Sequence, residues 1–198
     1  MRMRRGFKPN PRIPRTVFDA DPIRDIDTEP FDFSTLKGQV VFIVNVASED
    51  NATDEQYQML SKLMEDYHGS GLEILAFPSN WYGQKETKSF EEIKKFVYKK
   101  YNKNIKLFTK TDLEWNQLFA LGTRYFPGEI IWNFHGKFLF NRNGVPVGRY
   151  DLLTTHEFLD EEIKRQIQGG YDVMPDPKME TKEDEFDLEE FMKNKEAV

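Results

Sequence analysis

Residues 40–50, VVFIVNVASED, decide the fold of this chain. The first five are β-branched or aromatic without interruption, which is typical of a strand buried on both faces of a sheet. Thr53-Asp54-Glu55-Gln56 follows in the pattern of a capping box, which predicts that a helix begins there. Open α/β sheets collect ligands where strands end and helices begin, and a helix N-terminus favours an anion. We therefore expect the functional site near Asp50.

The rest of the chain predicts an α/β domain with elements in the order β-α-β-α-β-α-β-β-α. Asn143-Gly144 is the strongest signal for a β-hairpin, and Gly122 is predicted to end the third helix. In the last helix, Phe158 is expected to face the core beside Leu159. The predicted strands are 40–44, 72–77, 105–108, 132–140 and 145–150, and the predicted helices begin near Thr53, Ser89, Leu113 and Thr154.

The composition is that of one globular domain with tails, with 198 residues of which 38% are apolar and 14% aromatic. No run approaches the ~20 apolar residues of a membrane-spanning helix. The net charge of the chain is −6, and the part between its two ends is itself acidic. An acidic surface argues against nucleic acid as the main partner. The sequence contains no cysteine, which excludes disulfides, thiolate metal ligands and cysteine redox chemistry.

Two tails of opposite charge flank the predicted domain of residues 31–168. Residues 1–30 contain five prolines, and the first 18 carry six basic residues and no acid, which predicts an extended basic arm. Residues 169–198 form an acidic tail with spaced apolar residues, which is typical of a docking peptide. We expect protein partners in a larger complex to bind both tails. The apolar positions of the acidic tail are Phe186, Leu188, Phe191 and Met192.

The acid-free, arginine-rich start also favours a mitochondrial protein. Its prolines break the amphipathic helix of a targeting sequence, however, and serine is absent from this stretch, so a basic surface arm explains the same residues. The cytoplasm is the alternative compartment.

Four short motifs along the chain resemble those of the glutathione peroxidases, a family with a thioredoxin-like fold. The motifs are NVAS at 45–48, AFPSN at 76–80, WNF at 132–134 and the pair NRNG and VGRY at 141–150. They occur in the family's order and close to its spacing, over residues 31–167. The resemblance implies a central mixed sheet flanked by helices.

In that family a cysteine or selenocysteine attacks peroxide, while a glutamine, a tryptophan and an asparagine lower its pKa and orient the oxygen. The resemblance places the nucleophile at Asp50, the glutamine at Trp81 and the remaining pair at Trp132 and Asn133. The position that often holds a resolving cysteine is Ser79. A carboxylate cannot accept and return an oxygen atom as a thiolate does through sulfenic acid. We therefore expect no catalytic residues here, only a vestigial site, and we expect Trp81 to narrow or plug the pocket.

The main hypothesis is a catalytically inactive relative that serves as an accessory subunit, with no cofactor and no metal. Asp50 then simply inherits the anion position. One alternative is a ligand-binding or regulatory module that uses the vestigial pocket. Another is a cysteine-independent enzyme in which Asp50 is a general base, which requires a histidine or second carboxylate aimed at the same atom. The three histidines are scattered, and their spacing does not predict a zinc site.

Overall fold

The computed structural model of the protein describes residues 12–169, which form a five-stranded mixed sheet with helices on both faces and a separate two-stranded ribbon. The strands are β1 Ile23–Arg24, β2 Pro30–Phe31, β3 Val40–Val46, β4 Leu72–Pro78, β5 Lys106–Leu107, β6 Lys137–Phe140 and β7 Pro146–Tyr150. The α-helices are α1 Thr53–Tyr67, α2 Phe90–Lys100, α3 Gln117–Tyr125 and α4 His156–Ile167. Short 3₁₀ helices span Val17–Asp19, Phe33–Leu36, His68–Ser70 and Leu113–Trp115. The predicted α/β class is confirmed.

Strand β3 lies at the centre of the sheet, whose strand order is β5-β4-β3-β6-β7. It pairs in parallel with β4 from Val40 opposite Leu72 to Val46 opposite Pro78, and α1 lies in the crossover connection that parallel strands need. On its other edge β3 pairs antiparallel with β6. All seven of its residues are buried, which explains why its sequence is apolar without alternation.

The core has two parts, one on each face of the sheet. Helices α1, α2 and α4 cover one face and share a cluster that includes Leu60, Val97 and Ile163. Helix α3 covers the other face together with the N-terminal residues, in a cluster that includes Val17 and Phe119. Among residues 12–169, none of the helices is long and apolar enough to cross a lipid bilayer.

The N-terminal arm predicted for residues 1–30 differs from the structure in its second half. Val17 and Phe18 are buried, and the Val17 amide donates to the carbonyl oxygen of Gly144 at 2.9 Å. Strands β1 and β2 then form a ribbon beside β5, where the Ile26 amide donates to the Leu107 carbonyl. The predicted boundary at residue 30 therefore falls inside the folded body. The basic start of the arm and the acidic tail after Gly169 lie outside the described residues.

Three local predictions are corrected by packing that the sequence pattern did not reveal. Gly122 lies inside α3 rather than at its end. A glycine is needed there because a Cβ would come within 2.6 Å of the Phe138 ring on β6. The strand predicted over 132–140 begins only at Lys137, since residues 132–136 form a loop. Phe158 is 52% exposed, so α4 turns it toward solvent rather than into the core.

The start of α1 also differs from the prediction. The capping position is Ala52, and no side chain caps the helix there. The hydroxyl of Thr53 instead donates to the carbonyl oxygen of Ala47 at 2.8 Å and accepts from the Asp50 amide at 3.0 Å. The threonine thus closes the turn between β3 and α1. The predicted capping box of Ser89 and Glu92 at the start of α2 is confirmed.

Candidate functional site

The candidate site lies at the carboxyl end of β3, and Asn45 builds one of its walls. This asparagine is completely buried, and its side-chain amide donates to the Trp132 carbonyl at 2.9 Å. Its side-chain oxygen accepts from the Gly136 amide at 2.7 Å, and its backbone carbonyl accepts from the Phe134 amide. A single side chain therefore fixes both ends of the loop 132–136. Phe134 closes that loop with φ of 58° and buries its ring in the core.

The loop held by Asn45 points two donors at Asp50. The indole Nε1 of Trp132 donates to Oδ2 of Asp50 at 2.8 Å, and Nδ2 of Asn133 donates to the same oxygen at 3.0 Å. Asn133 is fully buried, Trp132 is 40% exposed, and Asp50 itself is partly buried. Hydrogen bonds of this kind to an ionised acceptor are about twice as strong as neutral ones. Two side-chain donors therefore converge on one oxygen of Asp50.

The second oxygen of Asp50 faces the turn into α1. Oδ1 accepts from the Ala52 amide at 3.0 Å, and the Thr53 amide donates to the Asp50 carbonyl at 3.1 Å. Asp50 therefore lies three residues before the helix, in a turn in which its own side chain satisfies a backbone donor. Both oxygens of its carboxylate are thus occupied by donors from the chain itself.

Ser79 and Trp81 follow β4, whose carboxyl end pairs with the end of β3 beside this site. The Trp81 side chain is 51% exposed and lines an adjoining cleft of about 400 Å³ together with Tyr82 and Ile130. The expectation that Trp81 narrows or plugs the pocket stays a prediction. Ser79 is fully buried at the end of β4, where its amide donates to the Val46 carbonyl.

The sequence analysis missed Glu86, a buried acid beneath the same loops. Its side chain is completely buried and accepts a hydrogen bond from the Ser48 hydroxyl at 2.9 Å. Burial raises the pKa of Glu86 from 4.5 to about 7, with opposing contributions from the bonds to Ser48. Its other oxygen and the buried hydroxyl of Tyr57 have no hydrogen-bond partner among the described residues. No sequence signal marked Glu86, because it stands in a polar loop of lysines and threonine.

A second loop contact ties this region together. The Thr87 hydroxyl donates to Glu49 at 2.6 Å and the Lys88 ammonium pairs with the same carboxylate at 2.9 Å. The hydrogen bonds from Thr87 and Lys88 lower the pKa of Glu49 to about 2. Glu49 therefore holds the two loops that border the site, and it points away from Asp50, as the alternation of neighbouring residues predicted.

Three potential metal ligands come together elsewhere, although the sequence spacing predicted none. Ligand atoms of Asp66, His156 and Asp160 lie within 4.8 Å of one another between α1 and α4. Two of these groups already have partners, since Asp66 pairs with Lys62 and Asp160 accepts from the Tyr67 hydroxyl at 2.8 Å. The sequence missed the cluster because its members come from two helices that only the tertiary structure brings together.

Comparisons with known proteins place this geometry in a family. The model of the glutathione peroxidase family matches residues 18–120, about half of the chain. Glutathione peroxidase 1 of Helianthus annuus is 35% identical over 160 residues, which are 77% of this chain and 95% of the relative. The chain belongs to the glutathione peroxidase family. The lack of cysteine distinguishes it from the nucleophile pattern that the resemblance implied.

Other comparisons agree with this glutathione peroxidase assignment. A relative from Arabidopsis thaliana, named "Probable phospholipid hydroperoxide glutathione peroxidase 6, mitochondrial", is 33% identical over 161 residues, or 78% of this chain and 68% of the relative. The crystal structure of T. cruzi GPX1 superposes with a TM-score of 0.65 at 25% identity and covers 79% of this chain and 99% of its own. A thioredoxin family protein from Chlorobium tepidum gives a TM-score of 0.58 at 12% identity, with coverage of 82% and 99%. The thioredoxin-like fold is confirmed.

Proposed function

We propose that this glutathione peroxidase-family protein is not a peroxidase and serves as an accessory subunit of a larger protein assembly. The observation that supports this proposal most directly is that Trp132 and Asn133 donate hydrogen bonds to Asp50 in a chain without cysteine. The two donors that would stabilise a thiolate hold a carboxylate instead. The anion is kept and the oxygen-accepting sulfur is gone, so the retained contacts support a structural role.

The same contacts weigh against an enzyme in which Asp50 is a general base. Oδ2 already accepts two hydrogen bonds, from the Trp132 indole and the Asn133 amide, so this oxygen is not free to take a proton from a substrate. Within residues 12–169, no histidine or second carboxylate is recorded in hydrogen-bond contact with Asp50. A base that works on a substrate needs a free lone pair directed at the proton it removes. Here three of the about four lone-pair positions of the carboxylate face the Ala52 amide, the indole and the Asn133 amide, and the one that remains is on Oδ1, at the turn into α1.

A peroxidase assay on the full chain tests the loss of activity. We expect turnover of hydrogen peroxide and of a phospholipid hydroperoxide to equal that of a heat-denatured sample, with either glutathione or thioredoxin as reductant. Turnover above that background in protein free of contaminating peroxidases contradicts the proposal. A host-derived contaminant is excluded as the source of such turnover if the activity follows the protein through a second column.

The Asp50→Cys variant tests whether the site is dormant or lost. A thiolate at this position gains the donors from Trp132 and Asn133, so we expect it to react once with peroxide. Sustained turnover with thioredoxin should stay at background, because Trp81 supplies no side-chain amide and Ser79 cannot resolve a sulfenic acid. Mass spectrometry should detect one added oxygen per chain. Sustained turnover would show that position 50 alone abolished the activity.

The assembly and its compartment form the second part of the proposal. The basic start and acidic tail of the sequence support binding to protein partners, and the acid-free start supports mitochondria over the cytoplasm. The name of the Arabidopsis relative agrees with a mitochondrial place. The native protein from cell extract should elute well above its own mass of 23.5 kDa and fractionate with mitochondria. Elution as a monomer from a cytosolic fraction contradicts both points.

Ligand binding is the second candidate, and the open cleft beside Trp81 and Tyr82 favours it. Glutathione is the appropriate probe, because it is the reductant that the family name implies. If the cleft is a binding site, titration with glutathione should quench tryptophan fluorescence to saturation, and Trp81→Ala should abolish the change. A linear response up to millimolar glutathione removes this candidate.

A further inference from the structure

The exposed face of α2 carries a basic groove around one aromatic ring. The groove has a volume of about 490 Å³ and is lined by Lys88, Glu92, Lys95, Phe96, Lys99 and Lys100. These residues recur at intervals of three and four along the helix and therefore lie on one face. The Phe96 ring is half-buried, and the ammonium groups of Lys88 and Lys100 approach its centroid to 5.8 Å and 5.7 Å.

The charges of this groove are not balanced from within the domain. Lys88 pairs with Glu49 and Lys100 with Asp54, while Glu92 is engaged in the helix cap with Ser89. Lys95 and Lys99 are exposed and have no ion-pair partner within residues 12–169.

Lys95 and Lys99 are four residues apart, a spacing at which like charges repel and destabilise a helix. An acidic segment seated on the groove would remove that repulsion. The groove thus presents two lysines that acidic side chains can pair with, around the apolar ring of Phe96.

We propose that residues 183–192 of the same chain occupy this groove. Their sequence, EDEFDLEEFM, holds six acids, four apolar residues and no base, which complements four lysines around a phenylalanine. Phe186 and Phe191 are the anchors suited to the Phe96 ring, and the intervening acids face Lys95 and Lys99. This proposal concerns α2 and the tail alone, so it does not depend on the non-catalytic role of the Asp50 site.

The geometry of the chain allows the segment to reach the groove. The described part ends at Gly169, just after α4, which packs on the same sheet face as α1 and α2. Helix α1 lies between them, because Tyr57 of α1 contacts Phe96 of α2 and Tyr67 of α1 bonds to Asp160 of α4. Packed helix axes are about 8–10 Å apart, so α2 lies roughly 20 Å from α4. Sixteen residues lie between Gly169 and Phe186, and the stretch from one to the other extends to at most about 60 Å.

Carbodiimide cross-linking of the full chain tests the contact directly, because it joins a lysine to a carboxylate only when they touch. At micromolar concentration we expect isopeptide bonds from Lys95 and Lys99 to acids between 183 and 190, on the monomer band. Limited proteolysis of the full chain gives a second readout, the protection of residues 183–192 from cleavage. The Lys95→Glu/Lys99→Glu variant should lower that protection at least about fivefold, since two attractive pairs become repulsive. The Phe186→Ala/Phe191→Ala variant should lower the yield of the same cross-links at unchanged charge.

A matched control changes the same number of charges on other surfaces. Lys37 and Lys164 are exposed and lie away from α2, so Lys37→Glu/Lys164→Glu should leave the protection and the cross-links at wild-type values. The proposal is overturned if the control variant and the α2 variant behave alike, or if the tail cross-links elsewhere. It is also overturned if cross-links to Lys95 and Lys99 appear only on a dimer band or only to an added partner protein. Those two results would show that the groove binds a second copy of the chain or a partner protein instead.

Discussion

At the scale of single residues, Asp50 shows how a catalytic position can be kept while its chemistry changes. The Trp132 indole and the Asn133 amide converge on one carboxylate oxygen, and the Ala52 amide satisfies the other. The Asp50 carboxylate therefore occupies the position at which the family resemblance implies a reactive cysteine or selenocysteine. Its removal should affect stability more than an ordinary surface acid, because two donors lose a charged partner.

The first prediction follows from these contacts. Asp50→Asn should lower the free energy of unfolding by about 1–3 kcal/mol, because an amide cannot accept from Trp132 and Asn133 as a carboxylate does. Urea denaturation followed by circular dichroism measures the loss. Glu161→Gln removes an exposed acid and should change the midpoint by less than about 0.5 kcal/mol. Equal midpoints for the two variants would show that the bonds to Asp50 contribute nothing to stability.

Glu86 provides a prediction on pH. Its pKa is raised from 4.5 to about 7 in the folded protein by burial, so the folded state retains a proton that the unfolded state releases. Stability is therefore complete below about pH 4.5 and falls as the pH rises toward 7. The difference of about 2.5 pH units corresponds to about 3 kcal/mol. Glu86→Gln should unfold at a higher urea concentration than the wild type at pH 8 and lose that advantage at pH 4.5.

The comparison at two pH values separates the charge from the shape of the side chain. Glutamine keeps the length and one oxygen for the Ser48 hydroxyl, so packing changes little. A constant difference between the two proteins from pH 4.5 to pH 8 would mean that Glu86 does not titrate in this range.

At the scale of elements, the N-terminal residues are the main surprise. Val17 and Phe18 are buried beside the β6–β7 hairpin, and a Cβ on Gly144 would come within 2.8 Å of the Phe18 ring. Gly144 therefore has two reasons to be glycine, its φ of 77° and this close approach. The hairpin and the N-terminal turn stabilise each other.

The third prediction tests that contact. Phe18→Ala should lower the free energy of unfolding by about 3 kcal/mol, because it leaves a cavity in the core cluster between α3 and the sheet. Ile13→Ala is the control, since Ile13 is 39% exposed and should lose much less. Differential scanning calorimetry measures both. If Phe18→Ala and the wild type have the same melting temperature, the N-terminal turn does not contribute to the stability of the fold. The domain would then begin near residue 30, as the sequence predicted.

At the scale of the whole molecule, the domain closes its core within residues 12–169. Two clusters, one on each face of the sheet, include segments from Val17 to Ile163. The remaining residues carry most of the charge asymmetry of the sequence, with ten acids and four lysines between residues 168 and 198. Charged segments of this kind add little to the stability of a closed core.

The fourth prediction concerns this division. A protein of residues 12–169 should fold, with a melting temperature within a few degrees of the full chain, while co-purification with the assembly is lost. Circular dichroism and affinity purification from cell extract measure the two effects. Removing residues 1–30 together with the tail should instead abolish the cooperative transition, because Val17 and Phe18 are lost. Full co-purification of residues 12–169 would assign the partner contact to the globular surface.

The sequence by itself determined the fold class and the identity of the site residues. An apolar run without alternation predicts a buried central strand, and Val40–Val46 is that strand. The positions of Asp50, Trp132 and Asn133 followed from short motifs, and the absence of cysteine is a property of composition alone. These features are local or compositional, so a pattern of neighbouring residues is enough to find them.

Only the tertiary structure decided which distant residues meet. Asn45 holds the loop 132–136 across about 90 positions of sequence, and Ser48 meets Glu86 through two loops. Trp81 lines a cleft together with Tyr82 and Ile130, a position that its motif alone did not indicate. The burial of Val17 and Phe18 depends on a groove formed by elements that follow them in the chain. Such contacts depend on packing between separate elements, which leaves no periodicity in the sequence.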